Sequence, residues 1–477
     1  MASRREFIKT SGLALAGLSI SGFNISSAQS EDNYKNQRPK PEDRKFTSTA
    51  VEEEIQKVKS AIKDKDLAWM FENCYPNTLD TTVNFQIIDG KPDTFVITGD
   101  INAMWLRDST AQVTPYLQLA NKDKKLKQLL AGVINRQTKC ILIDPYANAF
   151  NYGPTGSQWD KDLTTMKPEL HERKWELDSL CYPIRLAYHF WKITGDTSCF
   201  NDKWQSAMKL VLQTFKQQQR KDGRGPYKFQ RVTAVQTDTV AGSGYGNPIK
   251  PVGLICSIFR PSDDSTIFPF FVPSNYFAVV SLRQLSEMFD KIIGDKEYAD
   301  QFTALADEVG HALKEYALTK HLDFGEMISF EVDGFGNRLF MDDPSYPGLL
   351  SLPYYGSFTE SDHVYLNTRK FIFSGSNPYF FKGKYGNGIG SPHTGIGKIW
   401  PLSFIMQALT TSDEKEITSC LKSLVDTNAG TGFIHESFEK DDPKKFSRKW
   451  FAWANTLFGE LIIKIYNEKP QILKAQL

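Results

Sequence analysis

The stretch "MWLRDSTAQVTPYLQL", residues 104–119, begins as a polar cluster and continues with apolar residues at helical spacing. An aspartate and a serine in the first turn of a helix usually satisfy the unpaired N–H groups there. A Trp and an Arg among the same five residues do not serve that purpose. The same construction recurs: "ELDSL" opens a helical pattern near residue 177, "RPSDD" precedes one near 275, "SPHTGIG" precedes one near 399 and "GFIHESF" precedes the last, near 450. Apolar periodicity predicts helices over 51–72, 104–119, 124–139, 177–193, 204–219, 275–289, 299–318, 363–373, 399–409, 414–426 and 450–466. Helices with a polar motif at their N-terminal approach alternate with helices that lack one. That alternation suits a toroid of paired helices, whose inner helices all begin at one rim so that every motif converges on one pocket.

Between the helices run long loops rich in Gly, Pro and Tyr, such as "NYGPTGSQWD" and "KGKYGNGIGSPHTGIG", with short strand-like pieces "VNFQII", "TFVITG" and "FEVDGFGNRLF". Loops of that length in a compact domain are usually functional. At 477 residues the chain is long enough for a large core. Its 57 Lys plus Arg against 56 Asp plus Glu give no field of one sign to attract nucleic acid or an anionic membrane. A neutral partner fits better. Aromatic residues are 13% of the chain, with 9 Trp and 19 Tyr, and their flat amphipathic faces suit sugar rings.

The N-terminus carries Arg4 and Arg5, then a short apolar run over 13–23 and small residues ending at Ala28. Residues 1–28 resemble a twin-arginine export signal, so the mature chain is expected to be exported, to the periplasm or beyond. Loss of Arg4, Arg5 and Lys9 together with Glu6 takes the formal charge from +1 to −1. Residues 29–47, polar and with two prolines, are expected as an extended lead-in, and residues 48–477 as one catalytic domain. The apolar run is too short for a permanent membrane span, and no later stretch qualifies. The six cysteines are widely spaced without a C-x-x-C, which argues against a zinc site; an oxidising compartment permits disulfides, but substrates of the twin-arginine route fold before export, so buried thiols with no required bridge are expected.

Acid–base chemistry needs carboxyl groups in unlike environments, and the motifs supply them. Asp108 follows Arg107, a fixed cation suited to keeping it ionised; a structural ion pair at a helix start is the plain alternative. Asp178 in "ELDSL" is similar, with a cap as its alternative. Asp263 and Asp264 lie between Arg260 and an aromatic run, where one acid is able to pair or cap while its neighbour faces an apolar pocket and keeps a proton. Glu436, beside His435 in a Gly-flanked loop, is a candidate base for activating water.

"ITGDINAMWLRDS", "ELDSLCYPI", "FRPSDDS" with "VPSN", "GSPHTG" and "GFIHESF", in that order from about residue 50 to the C-terminus, resemble glycoside hydrolase family 125. The resemblance implies an all-α-dominated (α/α)6 toroid with long loops and short β-hairpins at its rim. It implies an exo-acting, inverting α-1,6-mannosidase that works on α-mannoside chains without metal or other cofactor. It further implies that one of Asp263 and Asp264 is the general acid and Glu436 the general base. Sugar-binding roles follow for Trp105, Arg107, Asp108, Asp178, Arg260 and His393, and Tyr385 with the loop 383–397 is expected in the pocket wall.

Other readings remain: a toroid glycosidase of another linkage, or a non-catalytic glycan-binding protein using its aromatics as a platform. A calcium-dependent mannosidase is disfavoured because neither a dense cluster of oxygen ligands nor H-E-x-x-H is present. A serine nucleophile is disfavoured because G-x-S-x-G is absent.

Overall fold

Helices dominate the computed structural model, which describes residues 34–477. The expected export segment and the first residues of the expected lead-in lie outside the described residues. Helices α1 (Thr49–Ala61), α2 (Lys65–Cys74) and α3 (Asn77–Thr81) come first. Five helical pairs follow: α4 (Leu106–Val113) with α5 (Lys124–Ile143), α6 (Leu177–Thr194) with α7 (Asp202–Gln218), α8 (Val272–Met288) with α9 (Lys296–Tyr316), α10 (Leu352–Tyr355) with α11 (His363–Ile372), and α12 (Pro401–Leu409) with α13 (Glu414–Asp426). Helix α14 (Ala452–Glu468) closes the chain, and α1 and α2 pack against it as the sixth outer element.

The inner ring is read from its neighbours. Helix α4 packs on α6, α6 on α8, α8 on α10, α12 on α14, and α14 returns to α4. Between α10 and α12 the hydroxyl of Tyr346 donates to the Leu402 carbonyl at 3.2 Å. Buried aromatics fill the ring axis: Phe277 packs 5.1 Å from Tyr182 and 4.4 Å from Tyr355, centroid to centroid. This is the expected (α/α)6 toroid, with short antiparallel hairpins between its helices.

Sequence chemistry separates the two rings. Among the outer helices, α1, α2, α5, α7, α9 and α13 are capped by Ser48, Asp64, Asp123, Asn201, Asp295 and Asp413, whose side chains accept first-turn N–H groups. The inner helices α4, α6, α8, α12 and α14 follow Trp105, Glu176, Phe271, Trp400 and Phe451, none of which caps with its side chain. Asp108 and Asp178 sit inside their helices rather than at the cap, so the plain capping alternative does not apply to them.

Several boundaries differ from the periodicity. The stretch expected as one helix over 51–72 breaks at Ile62, because Asp64 starts a new helix by accepting Leu67 N–H. The 104–119 pattern is α-helical only to Val113 and continues as a 3-10 turn, Thr114–Leu119, where Pro115 has no N–H to give. Part of the expected lead-in is tied to the body: Arg38 binds Glu52 at 2.9 Å and Asp80 at 2.7 Å, and Lys45 and Phe46 donate backbone N–H groups to Asp80 and Leu79. Residues 36–477 cluster as one compact unit. All six cysteines are buried free thiols.

Candidate active site

One cavity of about 500 Å³ opens at the ring face where the inner helices begin. Its wall takes Trp105, Arg107 and Asp108 from the start of α4, Glu172 and Lys174 from the approach to α6, and Ser262, Asp263 and Asp264 from the approach to α8. Ser345 comes from before α10, His393 and Trp400 from before α12, and Glu436, Arg448, Phe451 and Trp453 from around the start of α14. Six chain segments distant in sequence thus meet because the ring puts their helix starts side by side.

Arg107 organises one wall. Its Nη1 donates to Glu176 Oε2 at 2.6 Å and to Asp178 Oδ2 at 3.2 Å, Nη2 lies 3.8 Å from Asp263 Oδ1, and Nε lies 3.6 Å from Asp108 Oδ2. Burial pushes the Asp108 carboxyl up to about 6, against the pull of Arg107 and Arg448. Trp105 lines the same wall, with its indole N–H buried and without a hydrogen-bond partner.

Asp263 and Asp264 have separate environments. Asp263 adopts a left-handed backbone (φ 66°), which Asp tolerates better than most residues but which still marks strain. Asp263 N–H donates to the Arg260 carbonyl and Arg260 N–H to the Asp264 carbonyl, closing a tight turn that sends the two side chains apart. The Asp263 side chain is 27% exposed, that of Asp264 only 4%. Burial works against charge on Asp263, yet Lys174 and Arg107 hold it down to about 2. Asp264 Oδ1 lies 3.3 Å from His393 Nδ1. Burial opposes a charged His393, but the Asp264 hydrogen bond and the charges of Asp264, Glu436 and Asp263 lift it to about 9.

Glu436 stands across the cavity, on the turn before the short strand Ser437–Glu439. Its Oε2 accepts from Ser447 Oγ at 2.9 Å, and Oε1 lies 3.7 Å from Arg448 Nη1. The neighbouring His435 stacks on Phe446 at 3.6 Å, and burial takes it down to about 4, so it stays neutral.

Of the expected residues, Trp105, Arg107, Asp108, Asp263, Asp264, His393 and Glu436 line the cavity. Asp178 and Arg260 do not. Asp178 is fully buried behind Arg107, and Arg260 turns away to bind Glu331 at 2.6 Å. Tyr385 also stays out of the wall: it sits in the turn of a hairpin, Phe380–Gly383 with Gly386–Ile389, and only the following Pro392 and His393 reach the cavity. Glu172, Lys174, Arg231, Trp159 and Arg448 were not anticipated. The signal for the first two was the charged run "HERK", 171–174, just before "WELDSL" in otherwise apolar surroundings. Lys174 donates to Asp238 Oδ1 at 2.7 Å and to the Asp263 carbonyl at 2.8 Å, so it braces the turn that carries the acid pair.

Residues 64–463 match the family model described as metal-independent alpha-mannosidase (GH125). The Meiotically up-regulated gene 157 protein of Schizosaccharomyces pombe is 42% identical over 457 residues, covering 92% of this chain and 90% of that protein. A Streptococcus pneumoniae structure, from a family of metal-independent alpha mannosidases and in a non-productive complex with alpha-1,6-mannobiose, is 42% identical. It superposes with a TM-score of 0.85 over 89% of this chain and all of that one. A bacterial glucoamylase bound to acarbose shares the fold alone, with a TM-score of 0.53 and 13% identity over 87% of this chain and 59% of that one. The match along most of its length places this chain in the GH125 family of glycoside hydrolases, the metal-independent alpha-mannosidases.

Proposed function

We propose that this α-mannosidase is exo-acting and inverting, removes terminal mannose from α-1,6-linked chains, and uses Asp263 as general acid and Glu436 as general base. The observation that carries the reading is the placement of two carboxyls, on the approaches to α8 and α14, in one cavity whose far side is filled by the aromatic axis of the ring. A cavity closed at one end receives a chain terminus. Asp263 is preferred to Asp264 as the acid because its side chain is open to the cavity, whereas Asp264 is buried against His393. Glu436 accepts the proton of a water that attacks the anomeric carbon from the other face, which inverts the centre. Arg107 and Asp108 supply charged groups that engage the hydroxyls of the terminal ring, and Trp105 lines the wall beside them. A sugar with one misplaced hydroxyl leaves such groups unpaired, which makes discrimination steep. The linkage preference is supported by the relative's complex with alpha-1,6-mannobiose.

Proton NMR of early turnover on an α-1,6-mannotriose tests the scheme. Mannose is expected as the first product, and as the β-anomer. Early α-mannose refutes inversion, mannobiose as first product refutes exo action, and faster turnover of α-1,2- or α-1,3-mannobiose refutes the linkage.

A further inference from the structure

Asn148 raises a problem of hydrogen counting. Its Oδ1 accepts the Lys174 backbone N–H at 3.1 Å, which fixes the orientation of the amide. Its Nδ2 then carries two hydrogens, yet three carboxyl oxygens lie close: Glu172 Oε2 at 3.1 Å, Asp263 Oδ1 at 3.2 Å and Glu176 Oε1 at 3.3 Å. One of these oxygens is left without a donor from the amide. Glu176 Oε1 and Asp263 Oδ1 thus meet at one amide nitrogen, and two carboxyls held at one site do not both keep a charge, so the pair holds a proton between them.

The surroundings say where that proton rests. Glu176 is fully buried, while Asp263 is open to the cavity. Facing Glu176 are Arg107 from α4, Asp178 and Ser179 from α6, Glu172 from the strand before it, and Asp263 from the turn before α8. The Oε2 atom is taken by Arg107 and by Ser179 Oγ at 2.9 Å, so the hydrogen belongs on Oε1, beside Asp263. Burial lifts the Glu176 carboxyl well above the usual range, Asp263 and Asp178 add to the rise and Arg107 opposes it.

We propose that Glu176 is a positioning residue that holds the catalytic proton: the proton Asp263 gives to the glycosidic oxygen rests on Glu176 until substrate is seated. This rests on the reading of Asp263 as the acid. It also explains how a carboxyl kept ionised in the empty site delivers a proton. The Glu176 O–H bond breaks as an Asp263 O–H bond forms. The Asp263 O–H bond then breaks toward the leaving oxygen, which also takes the electron pair of the C1–O bond. Water adds at C1 and its second proton goes to Glu436. Solvent in the cavity takes that proton from Glu436 and returns one to the Glu176–Asp263 pair, restoring the start.

The experiment compares Glu176→Gln, Glu176→Asp and Asp263→Asn on α-1,6-mannobiose and on a dinitrophenyl α-mannoside, whose leaving group needs no proton. The kcat/KM is followed from pH 4 to 9, with folding checked by circular dichroism. Glu176→Gln is expected to lose about 100-fold on mannobiose at pH 7 and no more than about threefold on the aryl mannoside. The basic limb of its mannobiose profile should move to lower pH. Glu176→Asp, which still carries a proton, should keep the wild-type limb even with reduced activity. Equal loss of Glu176→Gln on both substrates, or an unmoved limb, overturns the proposal; should that variant not fold, a shifted limb in Glu176→Asp does so. Failure of Asp263→Asn to spare the aryl mannoside instead removes Asp263 from the acid role and leaves the Glu176 result separately readable.

Discussion

Replacing Asp108 by Asn should make the protein more stable and less active. Asp108 lines the cavity with its side chain 7% exposed, and its carboxyl stands at about 6 against an ordinary 3.8 because burial disfavours its charge. A carboxyl raised on folding contributes stability that is fully present below pH 3.8 and is lost as pH rises through 6. At 1.36 kcal/mol per pH unit, the rise from 3.8 to about 6 costs the ionised fold roughly 3 kcal/mol at neutral pH. Asn imitates the protonated acid and avoids that cost. With an unfolding entropy of about 1 kcal/mol/K for a chain of this size, the variant should melt about 3 °C higher at pH 7.5 and level with wild type near pH 4. If Asp108 engages a sugar hydroxyl as proposed, the same change removes a charge-assisted hydrogen bond worth about 1.5–3 kcal/mol, so kcat/KM should fall by about 10- to 100-fold. Thermal unfolding at several pH values, with kcat/KM on mannobiose, checks both. A variant that melts at or below wild type at pH 7.5, with a difference that does not change down to pH 4, refutes the reasoning.

Glu436→Gln should abolish turnover while leaving mannobiose binding by calorimetry within about threefold, since the amide keeps its shape but accepts no proton from water; activity within about tenfold of wild type removes it from the base role. Asp264→Asn should lower His393 from about 9 toward its ordinary 6.5, which the histidine ring resonances report in an NMR titration. An unmoved His393 means that its charge is held by other groups. The activity of that variant should fall to a similar extent on sugar and aryl leaving groups, in contrast to Asp263→Asn.

The toroid was legible because its inner helices advertise themselves. Arg-Asp after Trp in one helix start is read once as a curiosity, but five such starts in alternation fix the ring. The weakest inner helix, α10, escaped because "LPYY" spans one turn and shows no periodicity. Site residues on the motifs were found where a side chain and its backbone face the same way. Asp178 and Arg260 show the limit: both stand in the right motifs, yet each is taken up by a buried ion pair, with Arg107 and with Glu331, that no local pattern announces. Asn148 carries no local signal of its own, and the charged run that holds Glu172 and Lys174 gives no direction; their roles exist only because short strands fold back beside α4. The hairpin over 380–389 was hidden by its glycines, which read as loop but are required where Gly383 and Gly390 pass against the carbonyls of Lys440 and Lys398.

The unequal capping of the two rings divides the protein into a chassis and a tool. Six outer helices take their N-terminal caps from Ser48, Asp64, Asp123, Asn201, Asp295 and Asp413, each worth about 1 kcal/mol and each on a different helix from the chemistry. Mutational drift at those sites trades in thermal robustness alone. The inner helices spend the equivalent positions on Trp105, Glu176, Trp400 and Phe451, so an exchange there alters the cavity or the carboxyl cluster behind it before it alters the helix. Selection for a hotter or colder habitat therefore has a set of residues of its own, apart from cavity groups such as Asp108, and a lineage of such toroids is free to change its robustness there without touching its sugar site.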